Sequence, residues 1–302
     1  MDILTISIPF VLTLIITPFA IKISHRRNFL DHPKANSVHT KPIPMAGGLV
    51  IFFAFFVTTV LLKNTYNMLP FFAGAAIVVM GGIYDDLKGM NAQKKLLIQT
   101  ISVIVLSCFG ITISKIRFPF TPIIELGLFS VPLTILWFLV MINLINIIDG
   151  LDGLAAGLSA IVLFATAFFA QPHSIYLQIL TLLSATLSFL LFNFYPAKIF
   201  LGNSGSSLLG FSIAYFLTIT SQKSTMIPIL ILPCTVLSFY IFDSLYAIIR
   251  RRRQGRSVFT GDKEHIHHLM LSGIKNHRLV VLIFYLSSLV ISLIVLNLIR
   301  FI

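Results

Sequence analysis

The 302-residue chain is 57% hydrophobic and 11% charged, with a formal net charge of +12 and a mean hydropathy of +0.97. That balance excludes a soluble globular domain and predicts a polytopic, all-α helical bundle in a membrane, a single domain over 1–302 with no low-complexity tract or internal repeat. Cys108 and Cys234 stand alone in apolar runs, which argues against a disulfide framework or a thiolate metal site.

In chain order, apolar runs fall near 3–23, 46–62, 69–83, 96–113, 124–142, 154–170, 175–193, 207–220, 226–249 and 279–299, predicting about ten transmembrane helices. Ile3 to Ile23 has no positive residue before it and no small-residue cleavage pattern, so it reads as a retained span, not a signal peptide. If the connecting segments alternate sides, 22–45, 84–95, 194–206 and 250–278 share one face and hold most of the 22 Lys and Arg. The positive-inside rule makes that face cytoplasmic and puts both termini outside. Asp31, Asp85, Asp86, Asp149, Asp152, Asp262 and Glu264 fall on the same face, and Asp2 and Glu125 opposite. Topology signalling accounts for part of this one-sided charge. The rest suits anionic lipid headgroups and phosphorylated substrates, and no nucleic-acid partner is expected.

The cytoplasmic segments carry the polar chemistry. Between Asp31 and Gly48, three prolines restrict a loop that offers Lys41 as a cation to an anionic ligand, a solvated linker being the alternative. Asp85 and Asp86 close the third span, and adjacent carboxylates near a low-dielectric surface repel unless a metal, a cation or a shared proton holds them. Asn143, Asn146, Asp149 and Asp152 recur every third residue at the end of an apolar run, where neighbours in the series stay close on a drifting helical face. Gly150 and Gly153 permit close approach of backbone or ligand. The segment Phe200 to Ser206 reads as a strand or turn entering a helix, with backbone amides for a phosphate and the Phe200 ring for a base. Arg250 to Arg253 reads as a topology anchor. Beyond it, His265 and His268 share a helical face, but no spaced acid or thiol completes a zinc set, so phosphate binding with Arg256 fits better.

Four blocks in this order, Asp85-Asp86, Asn-x-x-Asn-x-x-Asp-Gly-x-Asp-Gly from 143, Phe-Leu-Gly-Asn-x-Gly-Ser from 200 and His265-Ile-His267-His268, resemble the polyprenyl-phosphate N-acetylhexosamine-1-phosphate transferases, the WecA/TagO-like branch more than MraY. The resemblance implies transfer of a sugar 1-phosphate from a UDP-sugar donor to a polyprenyl phosphate acceptor such as undecaprenyl phosphate. UMP is released and magnesium, or alternatively manganese, is used. The setting it implies is the bacterial inner membrane, at the start of an envelope glycan such as O-antigen or teichoic acid, and a homodimer is the oligomer considered. Residue by residue, it implies that Asp85 and Asp86 act on the lipid phosphate and that Asn146 and Asp149 lie at the metal and diphosphate. Asp152, Lys41 and Phe200 would hold uridine, with Asn143 and Gly150 also binding substrate. Asp149, His265, His267 and His268 fall among the catalytic residues.

One position departs from the family pattern. Asn203 stands where the family has an aspartate that ligates magnesium, and an amide coordinates a hard cation without contributing charge. Either activity is reduced or a neighbour such as Asp149 compensates. The competing readings are a relative that binds UDP-sugar without turnover, a membrane prenyltransferase and a transporter.

Overall fold

The structure is a computed structural model, and it describes residues 2–33, 40–62, 67–116, 123–170, 175–223 and 266–299, together with Ile241, Asp243, Tyr246, Ile249, Arg250 and Arg252. The helices are α1 (Asp2–Arg27), α2 (Gly47–Leu61), α3 (Leu69–Lys88), α4 (Ala92–Cys108), α5 (Ser130–Ile148), α6 (Leu154–Ala170), α7 (Ile175–Asn193), α8 (Gly202–Lys223), α9 (Ile266–Ile274) and α10 (His277–Ile299). The all-α expectation is amended by two short antiparallel ladders, Leu30–Asp31 with Ile43–Pro44 and Lys115–Ile116 with Ile124–Glu125.

Among the described residues, five helices, α1, α3, α5, α7 and α10, are long and apolar enough to cross a membrane, and α2 and α6 are shorter apolar helices. α4 and α8 form where spans were predicted but fall short of that standard, because α4 has only 17 residues and carries Lys94 and Lys95 in its first turn, and α8 is rich in serine and threonine. The expected span 226–249 lies almost wholly outside the described residues.

α8 is the centre of the bundle. It packs against α3, α5, α2 and α6, and every residue from Ser204 to Ser221 is buried. Several of its hydroxyls bond back to their own helix, among them Ser212 Oγ to Leu208 O at 2.7 Å and Thr218 Oγ1 to Ala214 O at 2.8 Å. Phe55, Phe71, Phe138, Phe211, Tyr215 and Phe216 interlock around its middle with ring centroids 5.0–6.4 Å apart. Its first turn lies directly on α3, where a Cβ on Gly82 would come within 2.3 Å of Ser204 Cα. That contact draws the end of α3, with its two aspartates, onto the start of α8.

α1 closes the other side. Ser184 Oγ and Ser188 Oγ of α7 donate to Ile6 O and Phe10 O of α1 at 2.5 and 2.8 Å, joining the two helices through backbone carbonyls. At the opposite end of α1 the chain folds back. Phe200 N donates to Pro44 O at 2.7 Å, and Gly47 N and Gly48 N donate to Phe200 O and Leu201 O at 3.1 Å each. The 40–48 loop is thus stitched to the entry of α8.

Candidate active site

The last turns of α3, α5 and α7, the start of α8 and the chain near Leu30–Pro33 surround a cavity of about 790 Å³, within the size range of small-molecule sites. Asp85, Asp86, Asn146, Asp149, Gly150, Asp152, Phe200 and Asn203 all line it, so three of the four sequence blocks converge on one space. Lys41 is exposed on its loop and is not among the lining residues. Asn143 also lies away from the cavity, because its Nδ2 donates to Leu139 O and to Gln99 Oε1, both at 2.8 Å. Arg256 and His265 lie outside the described residues; His267 and His268 fall in α9, with their side chains outside what is described.

The paired aspartates are not a shared-charge pair. Consecutive helical residues point about 100° apart, and each carboxylate has its own partner. Asp85 Oδ2 forms an ion pair with Lys95 Nζ at 3.3 Å. Asp86 Oδ1 accepts from Asn203 N at 2.8 Å and Asn203 Nδ2 at 3.0 Å, and Asp86 Oδ2 accepts from Ser204 N at 3.2 Å. Asp86 therefore caps α8 from another helix, its charge facing the positive end of the dipole. A cation, one of the expected partners, holds Asp85, whereas amides hold Asp86, and two of the α8 amides expected to hold phosphate are already taken. Asp86→Ala should lower the thermal midpoint of the purified protein by the equivalent of about 1–2 kcal/mol, whereas Asp86→Asn, which keeps one acceptor, should lose less. Thermal denaturation of both variants checks this, and an unchanged midpoint in Asp86→Ala would contradict the cap.

Lys95 is the residue that sequence reasoning missed. Its Nζ donates to Asn203 Oδ1 at 2.8 Å, Asn146 Oδ1 at 3.1 Å and Asp85 Oδ2 at 3.3 Å, which engages all three N–H groups of the ammonium. Asn146 Nδ2 in turn donates to Asn203 Oδ1 and Ser206 Oγ, both at 2.9 Å. A signal was present. Lys95 falls at the start of α4, where the helix dipole disfavours a cation, so its position calls for compensating oxygens nearby.

Asp149 contrasts with Asp85 and Asp86. α5 ends at Ile148 and Asp149 is its cap residue, so the every-third-residue series leaves the helix before Asp152. Among the described residues no hydrogen bond or ion pair reaches the Asp149 carboxylate. Burial pushes its carboxyl up to about 7, with the charges of Asp86 and Asp152 adding to the rise and Lys95 opposing it. Because the folded state holds this proton more tightly than an ordinary carboxyl of 3.8 does, ionising Asp149 costs stability as pH climbs through that interval. A cation beside it would return that stability.

Asp152 Oδ2 accepts from Ala197 N at 2.9 Å, tying the 149–153 turn to the 194–201 loop. Tyr285 Oη of α10 donates to Gly153 O at 2.5 Å from the far side. Asn193, unremarked in the sequence, also lines the cavity, its Nδ2 donating to Ile199 O at 2.9 Å.

Among the described residues, these features define a membrane protein whose α3, α5, α7 and α8 meet at a carboxylate- and amide-lined cavity. A family model described as glycosyl transferase family 4 matches residues 68–222, the stretch holding Asp85, Lys95, Asn146, Asp149 and Asn203. The chain is 37% identical over 287 residues to the probable undecaprenyl-phosphate N-acetylglucosaminyl 1-phosphate transferase of Bacillus subtilis, covering 93% of this chain and 80% of that protein. It is 33% identical over 301 residues to the decaprenyl-phosphate N-acetylglucosaminephosphotransferase of Mycobacterium tuberculosis, covering 87% and 74%. To the undecaprenyl-phosphate alpha-N-acetylglucosaminyl 1-phosphate transferase of Escherichia coli the identity is 28% over 311 residues, covering 97% and 84%. The chain belongs to this family, as its motif blocks led us to expect.

Proposed function

We propose that the protein transfers N-acetylhexosamine 1-phosphate from a UDP-sugar to a polyprenyl phosphate in the membrane, with N-acetylglucosamine, the sugar in the relatives' names, as the first choice. The observation that carries this reading is the convergence of Asp85, Asn146 and Asn203 on Lys95, beside Asp149, whose carboxylate has no partner among the described residues, at the edge of one cavity.

An oxygen of the lipid phosphate attacks the β-phosphorus of the donor. A new P–O bond forms to the lipid, the bond from the β-phosphorus to the bridging oxygen breaks, and UMP leaves with the electron pair. Such a transfer needs positioning and charge compensation more than covalent chemistry. Lys95 supplies a fixed ammonium, and Asp85, held by it, orients the nucleophile. Asp86 and Gly202 build the floor: Gly202 has φ +74°, and a Cβ there would meet Asp86 Oδ2 at 2.8 Å.

The donor set suits magnesium. Asp149 offers a hard carboxylate oxygen with no partner among the described residues, its pKa raised by burial and then by the charges of Asp86 and Asp152, and Asn146 and Asn203 would turn their Oδ1 atoms from Lys95 to the ion. They would hold the ion, which when bound neutralises diphosphate charge; manganese suits the same oxygens. Asn203 contributes no charge, so the substrate supplies more of the anionic character. In this reading the cavity faces the cytoplasm, about ten helices span the bilayer, and the product starts an envelope glycan.

Purified protein given UDP-N-acetylglucosamine labelled in the sugar, undecaprenyl phosphate and magnesium should move label into the lipid extract, and a chelator should stop it. Binding of the donor with no label transferred at any magnesium concentration would favour the binding-only relative, which Asn203 makes the serious rival.

A further inference from the structure

Gln99 lies one turn beyond Lys95 on α4 and is 3% exposed. The orientation of its amide is fixed from behind. Asn143 Nδ2 must face Leu139 O, a carbonyl, so the Gln99 atom 2.8 Å from that same Nδ2 is the acceptor Oε1. Gln99 Nε2 is then turned away from Asn143, and it is buried with no hydrogen-bond partner among the described residues. A buried donor left in this state is costly.

Beside it is a second cavity of about 10 Å³, with Asp85, Lys95, Gln99 and Ser207 in its lining. That is about the smallest volume that admits one water molecule. Three donor-bearing groups, Lys95, Gln99 and Ser207, border it, so it does not suit a cation, and a phosphate is too large. The ammonium of Lys95 has spent its three N–H groups, while among the described residues Asp85 has a partner for Oδ2 only.

We propose that one ordered water fills this cavity, accepting from Gln99 Nε2 and donating to Asp85 Oδ1. Gln99 is then a positioning residue for Asp85, and Asn143 positions Gln99. The functional consequence rests on the transfer reading above, in which Asp85 orients the nucleophile. It also gives Asn143 a task that its distance from the main cavity leaves open.

The test uses the full-length protein in lipid nanodiscs. Gln99→Met should lower kcat about tenfold, the scale of one well-placed water-mediated contact, with KM for the UDP-sugar unchanged. In an Asp85→Asn background the same substitution should cost less than about twofold, because the residue it acts through is already altered. Asn143→Leu should follow Gln99→Met in both backgrounds. Equal fold losses in the two backgrounds, or wild-type kcat in Gln99→Met, would overturn the proposal. A high-resolution structure decides independently of activity: density for a water within hydrogen-bonding reach of Gln99 Nε2 and Asp85 Oδ1 supports it, and its absence refutes it even if no transfer is detected. Failure of the wild-type protein to transfer sugar phosphate would count against the enzyme reading alone.

Discussion

Lys95→Met should reduce transfer about 100- to 1,000-fold while leaving the helices folded, the scale of roughly 3–4 kcal/mol seen when a fixed charge-compensating donor is removed. The substitution keeps the length of the stem but strips the ammonium from the point where Asp85 Oδ2, Asn146 Oδ1 and Asn203 Oδ1 meet. Those oxygens would then face one another and the substrate phosphates without the ammonium between them. Lys95→Arg should recover only part of the rate, since a planar guanidinium does not aim three N–H groups from a single nitrogen. The cap of α8 by Asp86 does not involve Lys95, so the far-ultraviolet circular dichroism should stay as in the wild type. A near-normal kcat in Lys95→Met would remove the ammonium from the mechanism.

Asn203→Asp is expected to act in opposite directions with and without magnesium. Asn203 Nδ2 donates to Asp86 Oδ1 at 3.0 Å, and a carboxylate there would set two negative groups against each other. In chelator the variant should therefore melt below the wild type. With magnesium the added charge becomes an advantage. The concentration giving half-maximal rate should fall about tenfold and turnover should rise by a similar factor, about 1.4 kcal/mol for one improved ligand. The thermal midpoint should also climb past that of the wild type as the ion binds the folded state. A variant unchanged or slower at every magnesium concentration would place the ion away from residue 203.

Much of the site was legible because charge in an apolar chain is conspicuous. Asp85-Asp86, the 143–153 stretch and the 200–206 segment stood out as polar groups at the ends of apolar runs, and all three reach one cavity. Their partnerships were not legible. Asp86 pairs with residue 203, 117 positions away, and nothing local says that its neighbour Asp85 turns instead toward Lys95. Lys95 itself was hidden beside Lys94 in what read as a topology signal. The Asn143 series misled for a geometric reason: residues three apart on an α-helix drift by about 60° per step. Asn143 thus faces α4 while Asn146 faces the cavity, and α5 ends before Asp152. The character of α8 was hard to read for a related reason. α8 is buried from Ser204 to Ser221, so it tolerates serine and threonine that a lipid-facing helix would carry less readily.

The central claim is that sugar and phosphate move together onto the lipid. The most direct measurement gives the protein UDP-N-acetylglucosamine labelled with ³²P at the β-phosphate and tritium in the sugar, with undecaprenyl phosphate and magnesium, and follows both labels and the released nucleotide. Both labels should enter the lipid extract in equal amounts, with one UMP formed for each. Tritium in the lipid with the ³²P left in water as UDP would contradict the account, because it would mean that the sugar travels without its phosphate.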